Sequence, residues 1–335
     1  MSKLRVGTIG LRAGHPRQWE GSALVETYGV CDTDPQLLDS VARECGAPLA
    51  SADYRDLVNC PEIDILFVAS PDQFHCELAC AALRAGKHVL CEKPMVMTLE
   101  ECEQVVRAAD ETGGKFLVGQ VCRFAPGFAA AKRLVDDGVI GDLFFVESEY
   151  AHDYTHIQGV GGWRVDPVRL RHPILGGGCH AVDLLRWIGG DVDEVFAYAN
   201  RKVLTGWPVD DCTIAVLKFA LGDLLGKVFC GIGVKRPYTL RSVFYGTQGT
   251  IVCDNTSPDI QVATDTPAGH QCFTSVPVEV ASHNKSAEID ALARAILDDT
   301  EIELDEREGA RTVATCLAAV ESVQTGLPAR VRNGW

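Results

Sequence analysis

An apolar strand runs directly into two charged residues and a proline in the stretch His88-Val89-Leu90-Cys91-Glu92-Lys93-Pro94-Met95. Charged side chains are rarely buried without a partner, so Glu92 and Lys93 mark the end of this strand. Pro94 keeps Lys93 out of the helical region, so covalent geometry sets the direction of the lysine. Open α/β sheets bind ligands at their strand ends, which makes Lys93 a candidate functional residue. A solvated ion pair with Glu92 is the alternative interpretation.

Strands and helices alternate on both sides of this stretch. Apolar runs predict strands at residues 4–10, 23–30, 63–68 and 115–122, and helical patterns occur at 37–45, 76–84 and 99–111. This alternation predicts a doubly wound parallel sheet, an α/β fold that occupies residues 1–125.

The first strand and the acidic end of the second are typical of a dinucleotide-binding unit. Asp32 lies about twenty residues beyond Gly10, the spacing at which a carboxylate binds the adenosine ribose and repels a 2′-phosphate, so NAD is favoured over NADP. Counted as G-x-G-x-x-G, the loop after Gly10 has Arg12 and His15 in place of the second and third glycines, and Gly14 comes one place early. Arg12 would either obstruct a pyrophosphate or offer it a guanidinium.

The second half, residues 126–335, contains closely spaced apolar runs that predict sequentially paired antiparallel strands and therefore an α+β domain. The run 212–221 is apolar on both faces. We therefore expect one face of this sheet to meet a second subunit, giving a homodimer or homotetramer.

The amino-acid composition restricts the classes of partner that the protein is expected to bind. The chain has 335 residues and a formal charge of −15, and an acidic surface disfavours nucleic acid and membrane, so a small neutral substrate, or one captured locally, is expected. The 14 cysteines contain no C-x-x-C and mostly lie in apolar runs, which predicts reduced interior thiols in a cytoplasmic protein. The N-terminus enters a strand directly, so no signal peptide is expected.

Four motifs carry a resemblance to a known family. They are Ala69-Ser70-Pro71 with His75, Gly86-Lys87-His88-Val89 leading into Glu92-Lys93-Pro94, Arg123-Phe124, and Cys179-His180-Ala181-Val182-Asp183. The sequence resembles the glucose-fructose oxidoreductase and inositol dehydrogenase family, Gfo/Idh/MocA, over essentially its whole length. The tail with His283 and Gly309 is also similar.

The resemblance implies an N-terminal Rossmann domain, a C-terminal domain with a large, open-faced, mostly antiparallel sheet, and a nicotinamide cofactor. It also implies hydride transfer at a secondary hydroxyl or ketone of a sugar, cyclitol or related polyol, with Lys93 and His180 flanking the substrate carbon. The predicted cofactor-binding residues are Gly10, Leu11, Arg12, Asp32, Ser70, Pro71, His75, Glu92, Lys93 and Gln120.

Polar and aromatic residues of the second half are candidate substrate contacts, because an aromatic ring beside Arg and His suits a hydroxylated ring. They are Arg123, His152, His156, Trp163, Arg164 and Asp183. Incidental polar residues of a surface loop are the alternative. His152, His156 and His172 show no recognisable zinc-ligand pattern, so no metal is expected.

Oxidation of an alcohol needs a base for the hydroxyl proton. We expect Lys93 to contact the hydroxyl and His180 to act as general base or its relay, because imidazole titrates in the right range. Asp183, about one helical turn later, is expected to orient rather than to donate a proton.

One departure from the family concerns the aspartate expected four residues before His180, where this chain has Gly176. Asp153, His156 and His172 are the candidates to fill the gap. The departure keeps open a lyase or glycosidase that oxidises its substrate transiently and regenerates NAD. The altered glycine loop likewise keeps open a non-catalytic dinucleotide-binding sensor.

Overall fold

The computed structural model describes residues 3–264, 272–281 and 283–335. They fall into two compact units, one made of residues up to Gln120 with Lys285–Ala310 and Trp335, the other of Val121–Asn284 with Arg311–Gly334. The sequence prediction put all of 126–335 in one domain; the segment 285–310 lies instead with the first unit. Among the described residues, no helix has both the length and the apolarity needed to cross a bilayer.

Strands and helices alternate along the first 120 residues, whereas most strands of the second unit follow one another. The strands are β1 (Leu4–Ile9), β2 (Val25–Cys31), β3 (Leu49–Ser51), β4 (Ile65–Val68), β5 (His88–Glu92), β6 (Phe116–Gly119), β7 (Leu143–Ala151), β8 (Val192–Asn200), β9 (Cys212–Phe219), β10 (Leu225–Gly231), β11 (Thr239–Gly246), β12 (Gly249–Asp254), β13 (Asp259–Thr264), β14 (Thr274–Pro277) and β15 (Ala329–Arg330). The helices are α1 (Pro35–Cys45), α2 (Tyr54–Val58), α3 (His75–Arg84), α4 (Leu99–Thr112), α5 (Pro126–Asp136), α6 (Pro173–Gly176), α7 (Cys179–Gly189), α8 (Lys285–Leu297) and α9 (Glu306–Thr325).

The described strands of the first unit form a parallel sheet in the order β3-β2-β1-β4-β5-β6, which confirms the predicted Rossmann architecture. Strand β4 is buried along its whole length, as expected for a parallel strand covered on both faces. The strand order reverses between β1 and β4, and this is the point of an open α/β sheet at which ligands bind.

The first crossover differs from the expected βαβ unit. Between β1 and β2 the described chain forms only a four-residue 3₁₀ helix, Pro16–Trp19, capped by the His15 side chain, which accepts from Arg17 N. Helix α8 packs on this short helix and on β2 and β6. A late segment of the chain thus covers part of the sheet beside a very short first helix.

The second unit contains a sheet in the order β14-β13-β12-β11-β7-β10-β9-β8-β15. Its pairings are antiparallel except for β7 with β10, which run parallel, so the sheet is mixed and mostly antiparallel. Purely sequential antiparallel pairing was therefore wrong for this pair, because β7 lies between β10 and β11. Strands β13 and β14 had not been predicted.

One face of this sheet carries helices, since α7 packs on β7 and β10 and α5 on β12 and β13. On β9, buried and exposed residues alternate, with Ile214 and Val216 exposed. Tyr198 lies opposite Ile214 in register and is also exposed. These apolar side chains share the uncovered face, and coverage by a second subunit stays a prediction.

Candidate functional site

The glycine loop after β1 packs tightly against the loop after β4. Gly10 has φ +94°, and a Cβ there would lie 2.5 Å from Ala69 O, so both backbone conformation and space require glycine. A Cβ at Gly14 would lie 2.7 Å from Ala69 Cβ and 2.8 Å from Thr8 Cγ2. Gly14, one place early by the motif, therefore serves the close packing for which the third glycine of the motif is used.

Asp32 holds the loop from the end of β2. Its two carboxylate oxygens accept hydrogen bonds from Leu11 N and Asp34 N, each at 2.9 Å. A carboxylate has about four acceptor sites, so ribose hydroxyls can still donate to it. Arg12 forms a 2.8 Å ion pair with Asp34, so its guanidinium is shared with a carboxylate and is not reserved for a phosphate.

Glu92 sits at the centre of a partly buried charge cluster. Lys93 N donates to its Oε2 at 3.2 Å, and Lys285 Nζ donates to its Oε1 and to Ala13 O. Burial would raise the pKa of Glu92, but Lys285 and Lys93 hold it below its usual value. Lys285, the first residue of α8, thereby ties the glycine loop to the end of β5.

Glu288 lies one helical turn beyond Lys285 and is 1% exposed. Its Oε1 has no hydrogen-bond partner among the described residues. Burial, with the nearby Glu92 carboxylate, raises the pKa of Glu288 well above its usual value. Burial thus favours the protonated, neutral form of Glu288.

His75 is fully buried, and it connects the two loops that follow β4 and β5. Its Nε2 lies 2.9 Å from Ser70 O and its Nδ1 2.9 Å from Pro94 O. Carbonyls only accept, so both ring nitrogens must donate and the ring is an imidazolium. Burial would lower the pKa of His75, but Cys91, Asp72 and the Pro94 carbonyl raise it to about 10. His75, predicted as a cofactor contact, thus has no surface for that role and instead positions Ser70 and Lys93-Pro94.

This imidazolium predicts a pH-dependent contribution to stability. The native state keeps a proton that the unfolded chain releases above about pH 6.5, so His75 stabilises most below that pH and loses its contribution as the pH rises to about 10. We expect the wild type to have a higher thermal midpoint than His75→Gln. This difference should be largest below pH 6.5 and should shrink towards pH 10. Thermal melts across this range measure the difference.

The exposed histidine His156 provides a matched control, because His156→Gln should give a difference that does not change with pH. A wild-type advantage over His75→Gln that stays constant or grows as the pH rises would contradict the imidazolium assignment.

The remaining predicted cofactor residues also follow strand ends of the first unit. Ser70 and Pro71 follow β4, and Gln120 follows β6. Gln120 is 2% exposed, and its Oε1 has no hydrogen-bond partner among the described residues. A buried polar atom of this kind normally has a partner, so Gln120 and the two loop glycines fit a site built for a bound dinucleotide.

In the second unit, Arg123 and Asp183 form a buried, bidentate ion pair. Arg123 Nε and Nη2 each donate to an Asp183 oxygen at 2.7 Å, and Thr312 Oγ1 donates to Asp183 Oδ1 at 3.1 Å. The side chains are 5% and 2% exposed. The ion pair positions the 3₁₀ helix Val121–Phe124 against α7. Both residues were predicted to contact substrate, and that contact stays a prediction.

His152 belongs to an aromatic cluster of the second unit. Its ring centroid lies 5.0 Å from those of Tyr154 and Tyr238, and the hydroxyls of Tyr150 and Tyr154 are 2.7 Å apart. Tyr238 also contacts His283, whose ring lies 6.0 Å from that of His180. Burial raises the pKa of Tyr150 and of Tyr238, so both are neutral phenols. His152 and His180 are thus linked through aromatic contacts.

Trp163 and Arg164 lie in a second group that centres on Arg171. The guanidinium carbons of Arg164 and Arg171 lie 4.9 and 5.2 Å from the Trp163 ring centroid. Arg171 Nη2 donates to Gly176 O at 3.0 Å, and a Cβ at Gly176 would collide with this guanidinium. At the position where the resemblance implies a carboxylate, the chain therefore has a buried cation.

The three residues considered for that gap lie elsewhere or are already engaged. Asp153 pairs with Lys235 at 2.8 Å, and hydrogen bonds from Lys235 and Thr155 hold its pKa well below the usual range. His156 is exposed. Burial lowers the pKa of His172, which lines a cavity with Arg201 and Asp210. Arg171 provides a side-chain contact to Gly176, whereas His172 contacts it through its backbone carbonyl, which accepts from Gly176 N at 2.9 Å.

Sequence reasoning missed Arg171, Tyr238, Lys285 and Glu288. Tyr238 and Lys285 lie far along the chain from Tyr150 and Glu92, which they contact. Arg171 and Glu288 belong to no spaced motif. Lys285 carried a weak signal, since it opens the amphipathic run of α8 and lies two residues after His283.

The parallel sheet, the glycine loop and Asp32 define the class of NAD-binding oxidoreductases with a Rossmann domain. Residues 4–120 match the family described as the oxidoreductase family with NAD-binding Rossmann fold, GFO/IDH/MocA, and residues 128–252 match its C-terminal domain. The chain belongs to this family. The predictions of family, fold class, enzymatic nature and nicotinamide cofactor are confirmed.

Curated relatives and solved structures agree with this assignment. The chain is 32% identical over 259 residues to inositol 2-dehydrogenase 2 of Saccharopolyspora erythraea, covering 74% of this chain and 72% of that protein. It is 29% identical over 230 residues to levoglucosan dehydrogenase of Pseudarthrobacter phenanthrenivorans, covering 65% and 54%. A structure of levoglucosan dehydrogenase with NADH and L-sorbose superimposes with a TM-score of 0.90 at 23% identity, covering 100% of both chains.

Proposed function

We propose that this protein is an NAD-dependent dehydrogenase that interconverts a secondary hydroxyl and a ketone on a sugar, cyclitol or related polyol. The observation that carries the proposal is the position of Lys93, fixed at the carboxyl edge of an NAD-binding sheet. Relatives named as dehydrogenases of levoglucosan and inositol support the substrate class.

Gly10, Leu11, Asp32, Ser70 and Gln120 are proposed to hold the cofactor. When bound, NAD supplies the acceptor for a hydride from carbon. Asp32 is proposed to bind the ribose hydroxyls and to disfavour a 2′-phosphate. Arg12, Pro71 and Glu92 complete the proposed set, with Glu92 acting through Lys285 to fix the loop.

Lys93 and His180 are proposed to take part in transfer of the substrate's hydroxyl proton. In the oxidation direction the substrate loses a hydride from carbon and a proton from oxygen, giving a ketone, NADH and a proton. Lys93 donates a hydrogen bond to the reacting oxygen, and His180 accepts its proton. Trp163, Arg164 and His152 are proposed to bind the sugar ring, with the apolar face of the ring on the indole and its hydroxyls on the polar groups.

A second candidate is transient oxidation followed by elimination or glycoside cleavage, with NAD regenerated. This alternative is supported by the Arg171 guanidinium, which donates to Gly176 O. A cation therefore lies where the resemblance implies the negative charge of an aspartate. It predicts product formation without net NADH.

A substrate panel separates the candidates. Purified protein is incubated with cyclitols, 1,6-anhydro sugars, aldoses and a glycoside, each with NAD or NADP, while reduced nicotinamide is followed by absorbance and products by mass spectrometry. The proposal predicts NADH formation with at least one cyclitol or sugar. Glycoside cleavage without NADH would support the second candidate, and a preference for NADP would overturn the role given to Asp32.

A further inference from the structure

Three metal-ligating side chains converge within the second unit. They are Cys122 in the 3₁₀ helix Val121–Phe124, His180 as the second residue of α7, and His283 two residues before α8. The Cys122 Sγ and one ring nitrogen of each histidine all lie within 4.8 Å of one another. Cys122 and His180 are each 2% exposed, whereas His283 is exposed.

These distances are close to those of a metal-bound set. Tetrahedral zinc with Zn–S of about 2.3 Å and Zn–N of about 2.1 Å separates its donors by roughly 3.5 Å. Each pair of donors would therefore need to close by no more than about 1.3 Å. Rotation of the exposed His283 ring can supply much of that movement.

The two buried donors are held in place before any ion binds. Arg123 follows Cys122 directly, and Asp183 lies three residues after His180 on α7. The bidentate Arg123–Asp183 pair therefore clamps the short helix that carries Cys122 onto the helix that carries His180. Metal sites depend on this kind of supporting contact for the orientation of their ligands.

We propose that Cys122, His180 and His283 bind a divalent transition-metal ion, with zinc the best match. A thiolate with two imidazoles is a donor set that suits zinc and disfavours magnesium or calcium. No fourth His, Cys, Asp or Glu joins the group within the described parts of the chain, and three protein ligands with an open position are typical of catalytic zinc. The exposed His283 side leaves a path for the ion.

The catalytic consequence rests on the proposed function. One imidazole cannot both ligate an ion and accept the hydroxyl proton, so an ion on His180 would block the proton transfer proposed above. The metal-free protein would therefore carry out the proposed reaction, with the hydride going to NAD and the hydroxyl proton to His180.

The test measures metal directly. Wild-type protein is stripped with a chelator, loaded with zinc, dialysed and analysed by mass spectrometry for bound metal, and a cobalt-loaded sample is examined for the cobalt–thiolate charge-transfer band. We expect about one ion per chain and a visible band. Cys122→Ser should abolish the band, and Cys122→Ser and His283→Ala should each weaken binding at least about 10-fold. Cys212→Ser and His156→Ala are matched controls that should bind as the wild type does.

His283→Ala keeps the test decisive if Cys122→Ser fails to fold, because an exposed ring can be removed without opening the core. Wild-type protein that retains no ion, or an ion whose affinity is unchanged in His283→Ala, would overturn the proposal. Dehydrogenase activity in a protein that never binds metal would overturn the metal site and leave the proposed function standing. Stoichiometric metal binding by a protein that shows no dehydrogenase activity in its metal-free form would support the site and count against that function.

Discussion

Replacement of Lys93 with methionine is expected to lower kcat by about 10³-fold while leaving NAD binding intact, because a positioned proton-transfer or hydrogen-bonding group contributes about 10²–10⁴-fold. Methionine keeps the length of the side chain and removes only its charge and donors. Steady-state kinetics give kcat, and titration of protein fluorescence with NAD gives the cofactor affinity.

The control for this variant is Lys202→Met, since Lys202 is exposed and lies outside the proposed site. It should match the wild type in both measurements. Retention of more than about a tenth of the wild-type kcat in Lys93→Met would remove Lys93 from the chemistry. Loss of NAD binding in parallel with activity would assign it to the cofactor instead.

The expected size of the effect depends on how firmly Lys93 is held. Lys93 N donates to Glu92 Oε2, and the next residue, Pro94, accepts from the His75 imidazolium. A Cβ at Gly119 would lie 3.0 Å from Glu92 Cα and 3.3 Å from Lys93 N, so β6 also packs closely on this backbone. Because the backbone of Lys93 is fixed in this way, its side chain loses little conformational freedom when it contacts the reacting atoms in the transition state.

Local signals were sufficient to predict much of the first unit. The run into Glu92-Lys93-Pro94 ends β5 as expected, and Gly46 and Gly113 end α1 and α4 with φ +63° and +67°. These features follow from periodicity and from backbone conformations that favour glycine, both of which act between near neighbours.

The contacts that build the sites could not be predicted in this way. Arg123 and Asp183 are 60 residues apart, and Lys285 is 193 residues beyond Glu92. No periodic pattern links residues at such separations, and only the fold decides that a buried arginine pairs with a buried aspartate rather than with a ligand. For the same reason the sequence assigned His75 and Arg123 to ligands and did not reveal that His75 contacts Ser70 O and Pro94 O or that Arg123 pairs with Asp183.

Removal of one partner of the Arg123–Asp183 pair should therefore act on stability more than on ligand contact. Arg123→Met leaves the Asp183 carboxylate buried without its cation, a change that costs about 3–5 kcal/mol. It also removes the guanidinium that lies 5.5 Å from the Trp187 ring centroid. We expect the thermal midpoint to fall by about 10 °C, which thermal melts measure directly. Arg133→Met, an exposed arginine on the adjacent α5, should change it by less than about 2 °C.

The double variant Arg123→Met/Asp183→Leu separates an unpaired charge from lost packing. If the unpaired Asp183 carboxylate causes the fall in thermal midpoint, replacing both partners with apolar side chains should restore most of that midpoint. An apolar pair can substitute for a buried ion pair of similar volume. A double variant as unstable as Arg123→Met would show instead that the hydrogen bonds from Arg123 and Thr312 to Asp183 carry the stability. An unchanged midpoint in the single variant would mean that the pair does not clamp the short helix to α7, and the alignment of Cys122 with His180 would then need another cause.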